Sequence, residues 1–307
     1  MKKISLFFIS LLLLTGCVKE TPRKGFNVVV TNFPCYDFVR AITQNDPDIS
    51  IKMLIKPGMD SHSYEPSPQD MIAIKESDMF FYVGGESDDW VNSLLSDMDD
   101  HKVVKMIDLV SHLRLEEHVL GMQEEKGEED DDEYDEHVWT SPLNAIEIMQ
   151  RLTQKMVDLD PKHAVSFKEN ASNYIRKIKE VDQRIENIVS TSKRKEIVVG
   201  DRFPLLYFAK EYNLKYHAAF PGCSEQTEPS ASTISYLIDK TKKDKIPVVF
   251  KIELSNGQIA KTISEETGAK VLTIQSMHNV SAEDFNNHET YVSIMNKNAK
   301  ALKEALN

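Results

Sequence analysis

Short runs of β-branched and aromatic residues alternate with amphipathic stretches of helical period along the first third of the chain. The apolar runs lie at residues 26–30, 49–55, 79–83 and 103–107, and the same alternation returns at 196–199, 214–220, 247–252 and 269–274. Apolar runs of this length, each separated by enough chain for a helix, predict parallel strands with crossover helices, twice over. The stretch between the two sets, residues 160–190, has no glycine and no proline after Pro161. Within it Val165, Tyr174, Ile175, Ile178, Val181, Ile185 and Ile188 recur at roughly helical spacing. Asp160 suits the N-cap and Pro161 the first helical position. The pattern predicts one rod of about 30 residues, ~45 Å long at 1.5 Å per residue. The fold class is therefore α/β, two similar parallel-sheet lobes joined by one long rigid central helix. Bending that helix would break several backbone hydrogen bonds, so little domain motion is expected.

The N-terminus has a different pattern. Lys2 and Lys3 precede an apolar run over residues 4–14, and Leu13-Leu14-Thr15-Gly16-Cys17 follows at its end. A run of eleven residues, nine of them apolar, falls short of the ~20 needed to span a bilayer but matches a signal-peptide core. The residues ending in Cys17 resemble the bacterial lipobox, in which the chain is cut before the cysteine and a lipid is attached to its thiol. The expected organisation is a signal peptide at 1–16, a lipid-anchored tether at 17–25 beginning with Cys17, an N-terminal lobe at 26–159, the linking helix at 160–190 and a C-terminal lobe at 191–307. The mature chain is expected outside the cytoplasm, anchored to the bacterial cell membrane.

Composition narrows the function. With 307 residues, 41% hydrophobic and 28% charged, and only 11 Gly and 12 Pro, the chain is neither disordered nor fibrous. Its net charge of −12, or −14 without the two N-terminal lysines, has the wrong sign for nucleic acid and suits a cation. Much of that charge sits in EEKGEEDDDEYDE at residues 124–136. An acidic loop over 122–136 is expected to be solvated and disordered, either passive or collecting cations weakly. Of the three cysteines, Cys35 and Cys223 remain beside Cys17. They could pair, bind metal or be inert, and spacing alone does not choose.

Two loops carry candidate chemistry. In KPGMDSHSYEPSPQD, Ser67, Pro68 and Asp70 start a helix with a capping box, which places His62 in the loop after a strand. That is where open α/β sheets bind ligands. In DEHVWTSPLN, Ser141 and Pro142 start another helix shortly after His137. Neutral imidazoles are common transition-metal ligands, and two such loops could converge on one ion. His217 lies inside a strand and reads as a packing or edge residue, and His101, His112, His118, His163, His278 and His288 carry no spacing signal and read mostly as surface residues. Gly84-Gly85 reads as a strand-to-helix turn. Neither a nucleotide-binding glycine loop nor an HExxH helix is present, so no enzymatic activity is expected.

These motifs, with VVGDRFPLLYFAKEYNL, EQTEPSAS and TYVSIMNKNAKAL, resemble the metal-binding solute-binding lipoproteins of zinc and manganese ABC transporters over essentially the whole mature chain. The resemblance implies one divalent metal in a cleft between the lobes, with His62 and His137 as ligands from the first. At the third family position, a His in zinc members and a Glu in manganese members, this chain has Asp201 and Arg202, of which only Asp201 can bind a cation. The fourth position, normally an Asp, falls near Gln275, a weaker donor. Substitute donors are Cys223, Cys35 and His217, while Glu253 could orient a ligand His. The implied metal is Zn2+, with Mn2+ or iron as alternatives. The implied partner is an ABC permease with its ATPase, and the chain is expected to act as a monomer. A metal-binding surface adhesin is a further alternative.

Overall fold

The computed structural model describes residues 25–44, 46–95, 98–114, 134–222 and 229–307. The signal peptide, Cys17, Cys223 and most of the acidic loop lie outside the described residues. The first lobe contains β1 (Phe26–Val30), α1 (Phe33–Thr43), β2 (Ile49–Met53), α2 (Pro68–Lys75), β3 (Met79–Tyr82), a short α3 (Asn92–Leu95) and β4 (Val103–Lys105). Next come α4 (Pro142–Leu159) and α5 (Ala164–Thr191). The second lobe contains β5 (Glu196–Phe203), α6 (Leu206–Glu211), β6 (Lys215–Pro221), α7 (Ala231–Lys243), β7 (Val248–Lys251), α8 (Gln258–Thr267), β8 (Lys270–Thr273), α9 (Ala282–Asn286) and α10 (Tyr291–Leu306). Each apolar run in the sequence forms one strand. Both sheets are wholly parallel and share one order, β2-β1-β3-β4 and β6-β5-β7-β8. Parallel pairing demands crossovers, which is why helices cover both faces and the central strands are apolar along their length.

The 28-residue α5 extends ~42 Å at 1.5 Å per residue. It buries Phe167, Ala171, Tyr174, Ile178, Val181, Ile185 and Val189, a stripe at steps of three or four. Its start differs from the sequence expectation. Pro161–His163 form a separate 3-10 turn, and the Asp160 side chain bonds the His163 ring instead of capping a helix. Val165, read as part of the stripe, is 80% exposed.

One continuous core joins β1, β3, α1, α4 and α5 to β5 and α10, so residues of both lobes share it. Smaller clusters lie under α2 and α3 and under α7 and α8. Buried Asp37 on α1 ties these parts together. It accepts from the Tyr291 amide at 2.8 Å and from the Tyr174 hydroxyl, and pairs with Arg40. No helix among the described residues is long and apolar enough to cross a membrane.

Candidate metal centre

The C-terminal ends of the two sheets open on one cavity of about 310 Å³, lined from the first lobe by His62 and His137 and from the second by Asp201, Arg202 and His278. Each lining segment leaves a strand or leads into a helix, where backbone turns direct side chains inward.

His137 is the most rigidly held. It is fully buried, and its Nδ1 lies 3.0 Å from Asp135 Oδ1, which also accepts the His137 amide at 2.7 Å. A carboxylate on Nδ1 keeps the proton there and turns the Nε2 lone pair the other way, the arrangement that prepares an imidazole for a metal. Beside it, Glu136 accepts from the Ser87 amide at 3.1 Å and the Ser87 hydroxyl at 2.7 Å. Gly85 makes room for it, since a Cβ there would lie 2.2 Å from the Glu136 Cβ and 2.3 Å from its Oε2. Burial pushes the Glu136 carboxyl above its ordinary range. The acidic run is thus not uniformly solvated. Tyr134 is exposed, but Asp135 and Glu136 are buried.

His62 comes from the β2–α2 loop, with Ser67 capping α2 through the expected capping box. The loop is fastened to the other lobe by Asn279, whose amide nitrogen donates to Lys56 O at 2.8 Å and Met59 O at 2.9 Å, and by the Gly58 amide donating to Val280 O at 2.7 Å. Desolvation, with smaller contributions from His137 and Arg202, lowers His62 to a pKa of about 4.

The third imidazole is His278, expected at the surface but 7% exposed at the centre of the cavity. It sits on the turn after β8. Met277 before it adopts the left-handed backbone (φ 64°), a strained conformation for a residue with a side chain. Neighbours on each side hold that turn in place. Glu253 accepts from the Ser276 amide at 2.8 Å and its hydroxyl at 2.5 Å, and Trp139 Nε1 donates to Ser276 O at 2.7 Å. Glu253 therefore orients a histidine as expected, but by fixing the turn rather than touching the ring. Burial, reinforced by His62, His137 and Arg202, pushes His278 well below the ordinary histidine range.

The ring centroids form a triangle, His62–His278 4.8 Å, His137–His278 5.0 Å and His62–His137 6.0 Å. One ligand atom from each of these and from Glu136 lie within 4.8 Å of one another. Three neutral nitrogens with one carboxylate suit a borderline-soft divalent ion held tetrahedrally. Asp201 is not in this group. It lines the same cavity from β5, where the register against β6 shifts between Val199 and Arg202. Gly200 at that irregularity packs against α8, 2.6 Å from Ala260 Cα for a notional Cβ.

The remaining candidates lie elsewhere. Cys35 is a buried free thiol among the described residues, in the first turn of α1 near the Thr31 hydroxyl, where burial raises its pKa and it packs in the core; pairing with Cys223 falls outside the described residues. His217 packs in β6, its ring nitrogens 2.8 Å from Glu196 Oε1 and 2.7 Å from the Tyr236 hydroxyl, as a strand residue should. Sequence reasoning missed His278 and Glu136. The available signal for His278 was its place just past a strand and three residues before Ser281, which caps α9 much as Ser67 and Ser141 cap their helices, though without a proline at the first helical position.

Two parallel-sheet lobes on one continuous helix, with a nitrogen-rich cluster where their strand ends meet, define a cleft receptor of the solute-binding type. The chain belongs to the family "Zinc-uptake complex component A periplasmic", whose model matches residues 28–305. It is 33% identical over 99% of its length to the zinc-binding lipoprotein AdcA of Streptococcus pneumoniae (strain ATCC BAA-255 / R6), covering 61% of that protein. The chain thus spans about three fifths of the AdcA relatives it matches. It is 29% identical to the high-affinity zinc uptake system protein ZnuA of Bacillus subtilis (strain 168), over 96% of this chain and 94% of that one. The crystal structure of the Zn(II)-bound ZnuA-like domain of S. pneumoniae AdcA superposes with a TM-score of 0.74 at 30% identity, over 92% of this chain and 99% of that one.

Proposed function

We propose that this chain is a lipid-anchored extracytoplasmic receptor that captures zinc between its lobes and passes it to the permease of an ABC transporter. The observation that carries this reading is the set of three imidazoles and Glu136 with ligand atoms within 4.8 Å of one another. His62, His137 and His278 with Glu136 are the proposed donors, His137 being oriented by Asp135. Asp201, expected from the sequence as a ligand, faces the same cavity outside that group and would meet the ion only through an intervening molecule. A set dominated by nitrogen favours zinc over manganese, which prefers oxygen.

The ion is cargo, and the chain's own part is binding without bond-making. Desolvation keeps His62 and His278 neutral near pH 7, so neither must shed a proton to accept the ion. Burial raises the pKa of the Glu136 carboxyl, and a dication beside it favours the ionised form. Cys17 supplies the membrane anchor, the chain acts as a monomer, and release follows docking on the permease, where the His62 loop and the His278 turn are disturbed together through Asn279.

The test is the metal content and affinity of the chain lacking residues 1–16, against His62→Ala and His137→Ala. One equivalent of zinc, lost in either variant, is the expected result. No tightly bound transition metal, or zinc held unchanged without these histidines, would remove the reading.

A further inference from the structure

The cavity is far larger than an ion requires. Its volume of about 310 Å³ compares with the ~15 Å³ that admits one water and reaches the lower range of small-molecule pockets. The metal cluster takes up one wall. Other walls carry Asp201, Arg202 and the segment from Ser255 through Gln258, which leads into the first turn of the ten-residue α8.

Polar groups around this space lack partners. The Arg202 guanidinium donates no hydrogen bond among the described residues, and its only ion-pair partner there, half-exposed Asp60, is 3.6 Å away. Ser61, 3% exposed, has a buried hydroxyl without a partner. Asp201 Oδ1 accepts the Arg202 amide at 3.0 Å, but its buried Oδ2 has no partner. Buried polar atoms in folded proteins are bonded with few exceptions, so two such atoms, Ser61 Oγ and Asp201 Oδ2, with the partly exposed Arg202 guanidinium on the same cavity, call for a polar occupant.

The charge distribution says what kind. A guanidinium is permanently charged, and this one lines the same cavity as His62 and His278. It would oppose a dication held there unless an anion lay between them. A carboxylate meets that need, since it matches the guanidinium fork and can also face a metal. Asp201, an acceptor beside the guanidinium, calls for a group bearing N–H. A polycarboxylate would set charge against Asp201, whereas an amino group would complement it.

We infer that the cavity takes the metal together with a small chelator of the amino-acid class, its carboxylate held by Arg202 and Ser61 and its amino group facing Asp201. This rests on the zinc-receptor reading and specifies the form in which zinc is recognised. Asp201 then acts on the co-ligand and not on the ion.

The test uses the chain lacking residues 1–16, loaded with zinc alone, zinc with L-histidine or zinc with citrate, and weighed by native mass spectrometry alongside affinity measured in each mixture. Zinc plus one L-histidine should be retained and citrate should not. Arg202→Gln should retain L-histidine at least tenfold less well while binding zinc alone more tightly, since a positive charge beside the ion is gone. Arg202→Lys, which keeps the charge but loses the fork, should fall between and controls for folding. Zinc without co-ligand in every mixture, citrate retained as well as L-histidine, or undiminished L-histidine in Arg202→Gln would each overturn the inference. No zinc binding in any buffer would instead sink the receptor reading, and this one with it.

Discussion

The two lobes use the same four-strand order, yet they present their imidazoles in opposite ways. The first lobe offers His137 from a segment buried on all sides, with a carboxylate on its ring and Gly85 cleared for the neighbouring Glu136. The second offers His278 from a strained turn whose position depends on Glu253 of its own lobe and Trp139 of the other. Strand order therefore fixes where a site can form, at the joined ends of the strands, and not which residues form it. Within the first lobe the contrast repeats, because His62 rides on a loop that Asn279 fastens across the cleft. One imidazole takes its ring partner from its own lobe, although Tyr207 of the other lobe donates to the Asp135 carbonyl at 2.8 Å, and two depend more fully on how the lobes meet.

The sharpest way to break this comparison is to remove ligands one at a time. His278→Ala should lower zinc affinity by more than ~100-fold, beyond the range in which orienting residues act, whereas Asp201→Asn should cost less than ~10-fold. Competition against a chromophoric chelator measures both, and the reverse order would return Asp201 to the ligand set.

A smaller effect concerns pH. The folded pKa of His62, about 4, lies below the ~6.5 of an unfolded histidine, and His278 is lowered too. Between those values the unfolded chain binds more protons, so these residues make the metal-free protein less stable as pH falls from 6.5 toward 4. For zinc the same shift means that the His62 ring is not protonated above about pH 5, and the His278 shift acts in the same direction. The His62 contribution to the slope of log affinity against pH should be near zero from 7 to 5, where an ordinary histidine adds about one decade per unit once the pH is below its pKa of ~6.5. What slope remains should include Glu136, whose carboxyl pKa is raised by burial so that falling pH protonates it before an ordinary carboxyl, and Glu136→Gln should flatten it. A slope unchanged in that variant would exclude Glu136 from the proton balance.

The smallest effect tests the cross-lobe support. Trp139→Phe removes the donor to Ser276 O and leaves that buried carbonyl short of a partner, a loss of about 1–3 kcal/mol in stability by denaturant titration. Zinc affinity should fall in the same variant, because the turn bearing His278 loosens.

Much of this architecture could be read before any coordinates. Strands buried on both faces are continuous apolar runs, and a long helix without glycine shows a clean period, so the sheets and α5 follow from local pattern. His62 and His137 were legible because each precedes a serine-proline helix start. His278 precedes a serine cap without the proline, on the five-residue α9, and its burial comes from Trp139 and from loops far away in sequence. Glu136 was concealed by its acidic neighbours, since charge alone does not distinguish the one carboxylate that turns inward beneath Gly85. Cys35 was undecided for a related reason, as its depth is set by how α1 meets the sheet.

The shared core has one further consequence. The lobes look like two bodies on a rod, yet α10, from the end of the chain, lies against α5 and α1, and one unbroken apolar cluster runs through both halves. Neither half owns enough of that cluster to keep its structure after the other is lost. On heating, the halves should not come apart in sequence, and a calorimeter should record a single cooperative transition for the whole body.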